Sequence, residues 1–536
     1  MAGGNKNTAC KKPLTLKRQH QGMFVSVVTG LSTILFITFT LWKPDESSAF
    51  YAAANGFFNR HFNWLFVLVM NAVLVFVLWL GFSRYGKIRL GGEDARPKFK
   101  DLPWYSMIFS AGIGIGIFFY GVAEPICHQS LPEALSTASD FDCFKVMFLH
   151  WGFHAWAVYA LLAVGLAYFA YNRKLPFAAQ SMFYPLLKDR IYGLPGSLIG
   201  TLFTVSILFG LAASLGLGTQ QVNSGLSFVF GIPYSTGTQL IFIIIITAIA
   251  TLAVASGVDR GMKWLSEANM IISGVLLLAI LLLGPTSYII SAYLSGMGLY
   301  IKDFAAISLF SAVKPEDIAW QGQWTVFFWA WWFAFAPFVG IFIAEISEGR
   351  TIRQVTLGVV AVPTLAITVA MCILGGAGVF LDREGGGLIS AVISEDMAHS
   401  IFKMFQLLTR SRVLQIILSV TAVAAICTFF LTSSDSGSLV VSNMTSGGSS
   451  NPSKFQRIFW SVIQGCIAVA VLLIGGGRSF ETIQSAVIML GLPFAVVLLV
   501  LMYSLHKGLR EERGIKTEKE SSRGKTVNAG MPGQKL

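Results

Sequence analysis

Twelve apolar windows, each about as long as a bilayer is thick, follow one another along this chain. Only a membrane-embedded helix bundle accommodates them. They read at roughly 23–42, 62–83, 104–125, 146–171, 194–217, 238–256, 269–295, 324–345, 355–381, 412–441, 457–475 and 484–505. Of the 536 residues 54% are hydrophobic and 12% charged, against roughly a quarter charged in soluble domains. The expected class is therefore an all-α polytopic membrane protein. The first window follows a polar tail with Lys6, Lys11, Lys12, Lys17 and Arg18, and it is too long for a signal-peptide core, so it reads as a retained span.

An even number of spans places both termini on one side, and charge says which. Basic residues gather in the N-terminal tail and after the second window (Arg84, Lys87, Arg89, Arg96, Lys98, Lys100). They recur after the fourth (Arg173, Lys174, Lys188, Arg190), sixth (Arg260, Lys263), eighth (Arg350, Arg353) and tenth (Lys454, Arg457), and in the C-terminal tail. The positive-inside rule then puts both tails in the cytoplasm. The loop after the third window is acidic, with Glu133, Asp140 and Asp142. The net charge of +12 thus follows topology, and no nucleic-acid partner is implied. Six cysteines show no CxxC spacing. Cys127 and Cys143 share one loop and can be a disulfide in an oxidising compartment or two free residues, the second reading being preferred.

Two windows contain helix-weakening sequence. The third reads FSAGIGIGIFFYGVAEP, with Gly112, Gly114 and Gly116 spaced by two. Each glycine costs a helix roughly 1 kcal/mol relative to Ala. Spacing of two does not keep them on one helical face, so local unwinding is preferred over small-residue helix packing. In secondary transporters such breaks lie at midplane and expose amides and carbonyls to substrate and ions. The tenth window carries FFLTSSDSGS, Phe429 to Ser438, where a second interruption is expected. Thr432 and Ser433 offer hydroxyl oxygens suited to a hard cation such as sodium. Asp435 is read as a cap at the cytoplasmic helix end, or as an intramembrane functional acid. Two five-helix halves related by inversion are compatible with the placing of these segments, without clear internal identity.

The eighth window opens WTVFFWAWWFAFAPFVGIFI, with Trp324, Trp329, Trp331 and Trp332 inside a span. Trp is normally held at the headgroup belts. A cluster within the span suits a cavity for a quaternary ammonium, bound by cation–π attraction; belt and packing aromatics are the alternative. In the fourth window, HWGFHAWAVY, Trp151, Trp156 and Tyr159 fall close to one helical face. His150 and His154 are four apart, as in metal-binding helices. With no acidic or cysteine partner in view, packing or hydrogen bonding is the preferred role. A membrane enzyme would need His150, His154 and Asp435 to converge, and the lack of other intramembrane acids argues against it.

Six segments together resemble the betaine/choline/carnitine transporter family: AGIGIGIFFYGVAEP, HWxxHxWAxY, SLGLGTQQ, GVDRGMKWLSEANM, FFWAWWFAFAPFVGIFIAEISEGRTIR and FFLTSSDSGS. They cover roughly residues 20–510. The resemblance implies twelve helices with a ten-helix, leucine-transporter-like inverted-repeat core, a homotrimer in membrane lipid, and alternating access in the bacterial inner membrane. The corresponding organisation is a tail 1–22, two peripheral helices and a basic loop 23–102, a first repeat 103–295, an amphipathic connection 296–323, a second repeat 324–506 and a tail 507–536.

By the same resemblance, Trp331, Trp332 and Phe335 form the substrate box, Phe335 standing where betaine carriers have Trp. Trp151, Trp156 and Tyr159 line the site or its route, beside the glycines 112, 114 and 116. A sodium ion is expected on carbonyls of Ser110, Ile113 and Phe429 and hydroxyls of Thr432 and Ser433. A second sodium site is expected to be lost, because Ile207 and Leu211 replace threonines. The implied activity is sodium-coupled import of a zwitterionic quaternary ammonium or sulfonium compound such as glycine betaine, carnitine or dimethylsulfoniopropionate. Alternatives are a sodium-independent carnitine exchanger, disfavoured by Asn269 in place of Arg, and a proton-coupled choline carrier, disfavoured by Gly116 in place of Asp. The basic tail from Lys507 is read as solvated, with anionic lipid as the other possibility.

Overall fold

The computed structural model describes residues 11–112, 114–256, 259–449, 452–475 and 479–528. Its architecture is helical, joined by one short antiparallel bridge, Arg89 to Thr351. Eleven helices among the described residues are long and apolar enough to cross a membrane. They fall on eleven of the twelve windows. The remaining window, the third, holds two half-helices, α3 (Asp101–Gly112) and α4 (Gly116–Cys127). Unwinding at the glycines is therefore observed.

The first spans are α1 (Lys11–Trp42) and α2 (Pro44–Phe82). At 1.5 Å per residue the 39-residue α2 reaches about 58 Å, nearly twice the hydrocarbon thickness. The fourth window bends at Gly152 between α5 (Asp142–Trp151) and α6 (Phe153–Ala167). The fifth and sixth are α7 (Leu194–Phe230) and α8 (Thr236–Ser256).

The seventh window, read as one span over 269–295, is divided. Helix α9 (Asp259–Leu283) stops at Gly284 and Pro285, and α10 (Thr286–Lys302) starts anew. Proline supplies no amide to the preceding turn, and the residue before it resists helical backbone. The eighth window is α11 (Phe327–Ile346), entered through a wider π-type turn at Gly322–Val326. Helix α12 (Ile352–Glu384) begins on a capping box: Thr351 Oγ1 accepts from Gln354 N, and Thr351 N donates to Gln354 Oε1. The last three are α13 (Arg412–Thr445), α14 (Lys454–Gly475) and α15 (Ser479–Asn528). Helical backbone extends into the segments read as tails, 1–22 and 507–536.

The expected second interruption is absent: α13 runs unbroken through Thr432 to Ser438. Three hydroxyls of this helix bond back to it. Thr428 Oγ1 donates to Ala424 O at 3.0 Å, Thr432 Oγ1 to Thr428 O at 3.0 Å, and Ser438 Oγ to Asp435 O at 2.8 Å. Nor does Asp435 cap a helix end. It sits within α13 and pairs with Arg457 at 3.3 Å.

Burial sorts the bundle into layers. The apolar window of Asp142–Asn172 is 94% buried and that of Pro315–Ile346 89%, whereas that of Trp264–Leu283 is 17% buried. The tryptophan-bearing fourth and eighth spans are thus the interior pair, and the lipid-facing helices stand outside. Helix α11 packs on α6, α7 and α15, α12 on α4 and α6, and α13 on α7. Basic loops meet on one side of the bundle: Leu90 N donates to Arg350 O, while Arg350 pairs with Asp101 at 2.7 Å and lies over Trp104. Glu511 of α15 joins that side through Arg173 and Lys188.

At the start of α5 a buried cation ties several segments together. Lys145 Nζ stands 3.0 Å from both Asp142 and Asp303, and its side chain is 1% exposed. Removing one partner of such a cluster leaves buried charge uncompensated. Lys145→Met is expected to lower stability by on the order of 3 kcal/mol, read as a drop in melting temperature of the detergent-solubilised protein. Adding Asp303→Asn should recover part of the loss.

Candidate functional site

The unwound stretch between α3 and α4 faces the two interior spans, and tryptophans fill the approach. A Cβ on Gly112 would stand 2.3 Å from Trp156 Cη2, and one on Gly116 would stand 2.8 Å from Trp151 Cη2 and 3.0 Å from Trp331 Cη2. These two glycines are where indoles reach the backbone. Gly114 is different, since a Cβ there meets nothing among the described residues within 4 Å. The three alternate between indole contact and open space, a division that spacing alone did not predict.

Around this seam lies the aromatic group. Trp331 and Trp332 are nearly parallel, with ring centroids 5.3 Å apart and planes at 9°. Trp151 stands edge-on to Trp332 at 5.1 Å, Tyr159 edge-on to Trp332 at 6.4 Å, and Trp156 edge-on to Tyr159 at 5.5 Å. Phe335 closes the end of the row, perpendicular to Trp331 at 6.3 Å. The two tryptophans, with Trp151, Trp156 and Tyr159, are buried, and Phe335 is partly exposed. The six aromatic residues named from the sequence therefore form one connected set. Trp332 Nε1 donates to His150 O at 2.8 Å, whereas the buried Trp331 Nε1 and Tyr159 hydroxyl have no hydrogen-bond partner among the described residues.

Sequence reasoning missed what holds these walls. Glu124, fully buried in α4, has Oε2 accepting from Trp151 Nε1 at 2.7 Å and Oε1 at 2.7 Å from His150 Nδ1. His150 Nε2 lies 3.0 Å from Thr325 Oγ1, and His128 Nε2 3.4 Å from Glu124 Oε1. An intramembrane acid with a histidine partner thus exists, correcting the view that His150 had none. The signal was available, because Glu124 and His128 are four apart within an otherwise apolar stretch. His154 fulfils the packing reading: its ring stacks on Phe304, and Nε2 lies 3.3 Å from Asn71 Oδ1. His150, His154 and Asp435 have separate partners, so the enzyme constellation does not assemble.

Of the residues named for sodium, Ile113 and the side chain of Ser110 lie outside the described residues. Phe429, Thr432 and Ser433 are on α13, and Phe429 reaches α4 by ring contact with Phe118 at 6.3 Å. Thr432 Oγ1 gives its hydrogen to carbonyls of its own turn, leaving oxygen lone pairs available. Ile207 and Leu211 are buried, and a Cβ on Gly437 would stand 2.2 Å from Leu211 Cδ1. That region is apolar contact. Cys127 and Cys143 are free thiols.

A multi-pass bundle with a broken helix and an enclosed aromatic group is an architecture suited to a membrane transporter. Residues 24–514 match the family model described as BCCT, betaine/carnitine/choline family transporter, and the chain belongs to that family. It is 37% identical over 481 residues to the glycine betaine transporter OpuD of Bacillus subtilis, covering 88% of this chain and 92% of that protein. It is 39% identical over 501 residues to a glycine betaine/proline/choline/ectoine transporter of Vibrio parahaemolyticus, with 92% and 88% covered. A second protein of that organism, glycine betaine transporter 1, is 39% identical over 464 residues, with 84% and 86% covered.

The glycines separate packing from cavity. Gly112→Ala and Gly116→Ala should each displace buried indoles and reduce uptake at least tenfold, while Gly114→Ala should leave the tryptophan emission spectrum of the purified protein unchanged. A Gly116→Ala protein with parental uptake and emission would show that the indoles do not depend on that close approach.

Proposed function

We propose that this protein is a secondary active carrier that imports a zwitterionic quaternary ammonium or sulfonium compound of the glycine betaine type into a bacterial cell, coupled to sodium and working by alternating access. The observation that carries this reading is the meeting of two features at Gly116. The near-parallel Trp331 and Trp332 with edge-on Trp151 supply an onium surface. The start of α4 supplies the positive end of a helix dipole, suited to a substrate carboxylate. A zwitterion satisfies both, whereas a bare cation leaves the helix terminus unused.

Glycine betaine appears in the name of each of the three relatives, and one name adds proline, choline and ectoine. Glycine betaine is accordingly the first substrate to test, with carnitine, choline and dimethylsulfoniopropionate beside it. Phe335 presses against Gly210, where a Cβ would lie 3.2 Å from its ring. That leaves little room for the larger ring found there in betaine carriers, and Phe335 is assigned here to selectivity. The homotrimer, the inverted-repeat core and the cytoplasmic placing of both termini belong to the same proposal, on the family resemblance and the charge pattern.

For sodium, Thr432 and Ser433 with the Phe429 carbonyl are the residues that would hold the ion, whose charge supplies the coupling. Only oxygen ligands lie in that set, as a hard cation requires. The apolar filling at Ile207 and Leu211 supports one ion per substrate.

Uptake into proteoliposomes of the four-compound panel, with and without an inward sodium gradient, tests the proposal. Glycine betaine should accumulate with sodium, following a hyperbolic sodium dependence. Accumulation indifferent to sodium, or a sigmoidal two-ion curve, would overturn the coupling. Trp332→Leu keeps apolar bulk but removes the aromatic face, and should weaken substrate affinity roughly tenfold, about 1–2 kcal/mol. Thr432→Ala with Ser433→Ala should weaken sodium activation and sodium-dependent substrate binding together, because linkage makes the two effects equal.

A further inference from the structure

Glu124, His128 and His150 form a cluster that the proposed transport cycle does not use. The carboxylate comes from α4, His128 from the residue that ends it, and His150 from the end of α5. One ligand atom from each lies within 4.8 Å of the other two, and all three residues are buried. Three features distinguish this group from an ordinary buried hydrogen-bond network.

His128 is 1% exposed, yet neither ring nitrogen has a hydrogen-bond partner among the described residues. Its Nε2 is 3.4 Å from Glu124 Oε1 without the alignment of a hydrogen bond. A buried imidazole with both nitrogens unmatched carries an uncompensated desolvation cost. The spacing is also informative. Ligands about 2.0–2.1 Å from a tetrahedral ion stand roughly 3.3 Å apart, close to the Glu124–His128 separation. The Glu124–His150 distance of 2.7 Å would open by about half an ångström as its hydrogen bond gave way.

Each of the other two ligands, finally, has an outer partner of the kind that orients metal ligands. His150 Nε2 can donate to Thr325 Oγ1 at 3.0 Å, which leaves Nδ1 unprotonated toward the cluster. Glu124 Oε2 is held by Trp151 Nε1, leaving Oε1 for the ion.

We infer that Glu124, His128 and His150 form a site for one divalent transition metal ion, of which Zn2+ best matches the two-imidazole, one-carboxylate donor set. A fourth position remains for water or another oxygen. An ion here would join α4 to α5 beside Trp151, a wall of the substrate box. Occupancy should therefore restrain the half-helix and slow uptake.

The test uses the full-length protein in detergent, with any affinity tag removed, and Co2+ as the spectroscopic probe. One equivalent per chain should give the intense visible bands of a four-coordinate ion, and Zn2+ should displace it. His128→Gln, which loses no hydrogen bond in the apo protein, and His150→Gln should each reduce affinity at least tenfold. His61→Gln, in an exposed part of α2, should bind as the parent does. Gel-filtration profile and melting temperature establish that each variant is folded. In proteoliposomes Zn2+ should inhibit glycine betaine uptake by the parent and not by His128→Gln. Absence of a stoichiometric Co2+ spectrum in the parent, meaning that the cluster holds only water or protons, overturns the site, as does parental affinity in both variants. The binding measurement needs no transported substrate, so its failure is distinct from failure of the transport assignment.

Discussion

A peptide group in hydrocarbon must find its hydrogen-bond partner within the protein, and the rest of this fold is organised around the one span that violates the simplest solution. Between Gly112 and Gly116 the third span surrenders its helical ladder. Such a gap is tolerable only if other protein covers it, and the covering material is aromatic. Trp156 lies against Gly112, while Trp151 and Trp331 lie against Gly116. Indoles seal the backbone from lipid and present faces and N–H groups to whatever enters. The same contacts that make the break affordable also assemble a surface suited to an onium ion, so the structural demand and the proposed function fall on the same atoms.

That double demand explains which parts could be read from the chain. Span positions followed from apolar length, because the bilayer imposes it. The glycine break was legible because no helix-packing pattern uses a spacing of two. The aromatic box was legible because Trp inside a span has few other uses. The tenth span misled for a physical reason. Ser and Thr look alike whether they free a helix or bond back to it, and here Thr428, Thr432 and Ser438 all return to their own helix. Asp435 looked expensive in isolation, and its partner Arg457 stands on the following helix, 22 residues away. The split at Gly284–Pro285 was written in the sequence but masked by the apolar run on both sides.

Glu124 was the larger omission. Its partners Trp151 and His150 stand on α5, and His150 lies in turn against Thr325 beside α11; no periodicity relates such positions. What one sequence does carry is the local pair Glu124 and His128, four apart at the far end of the span that contains the glycine break. A carboxylate at such a place requires donors, so it marks where other helices converge even when their identity is unknown.

The convergence has a mechanical consequence. Helix α4 is only twelve residues long and is free of the continuous ladder that stiffens its neighbours. It is nevertheless tied at both ends: near its start Gln221 Nε2 donates to the Phe118 carbonyl at 2.5 Å, and near its end Glu124 grips Trp151 and His150. His150 in turn offers its carbonyl to Trp332. A shift of α4 relative to α5 therefore cannot occur without disturbing Trp151, and through His150 it reaches Trp332. The two indoles that stand edge-to-face in the box are thus coupled through one buried carboxylate. Substrate held against those rings and any cation held by that carboxylate would act on the same joint, which is the form that linkage between two sites takes when a shared two-ended element joins them.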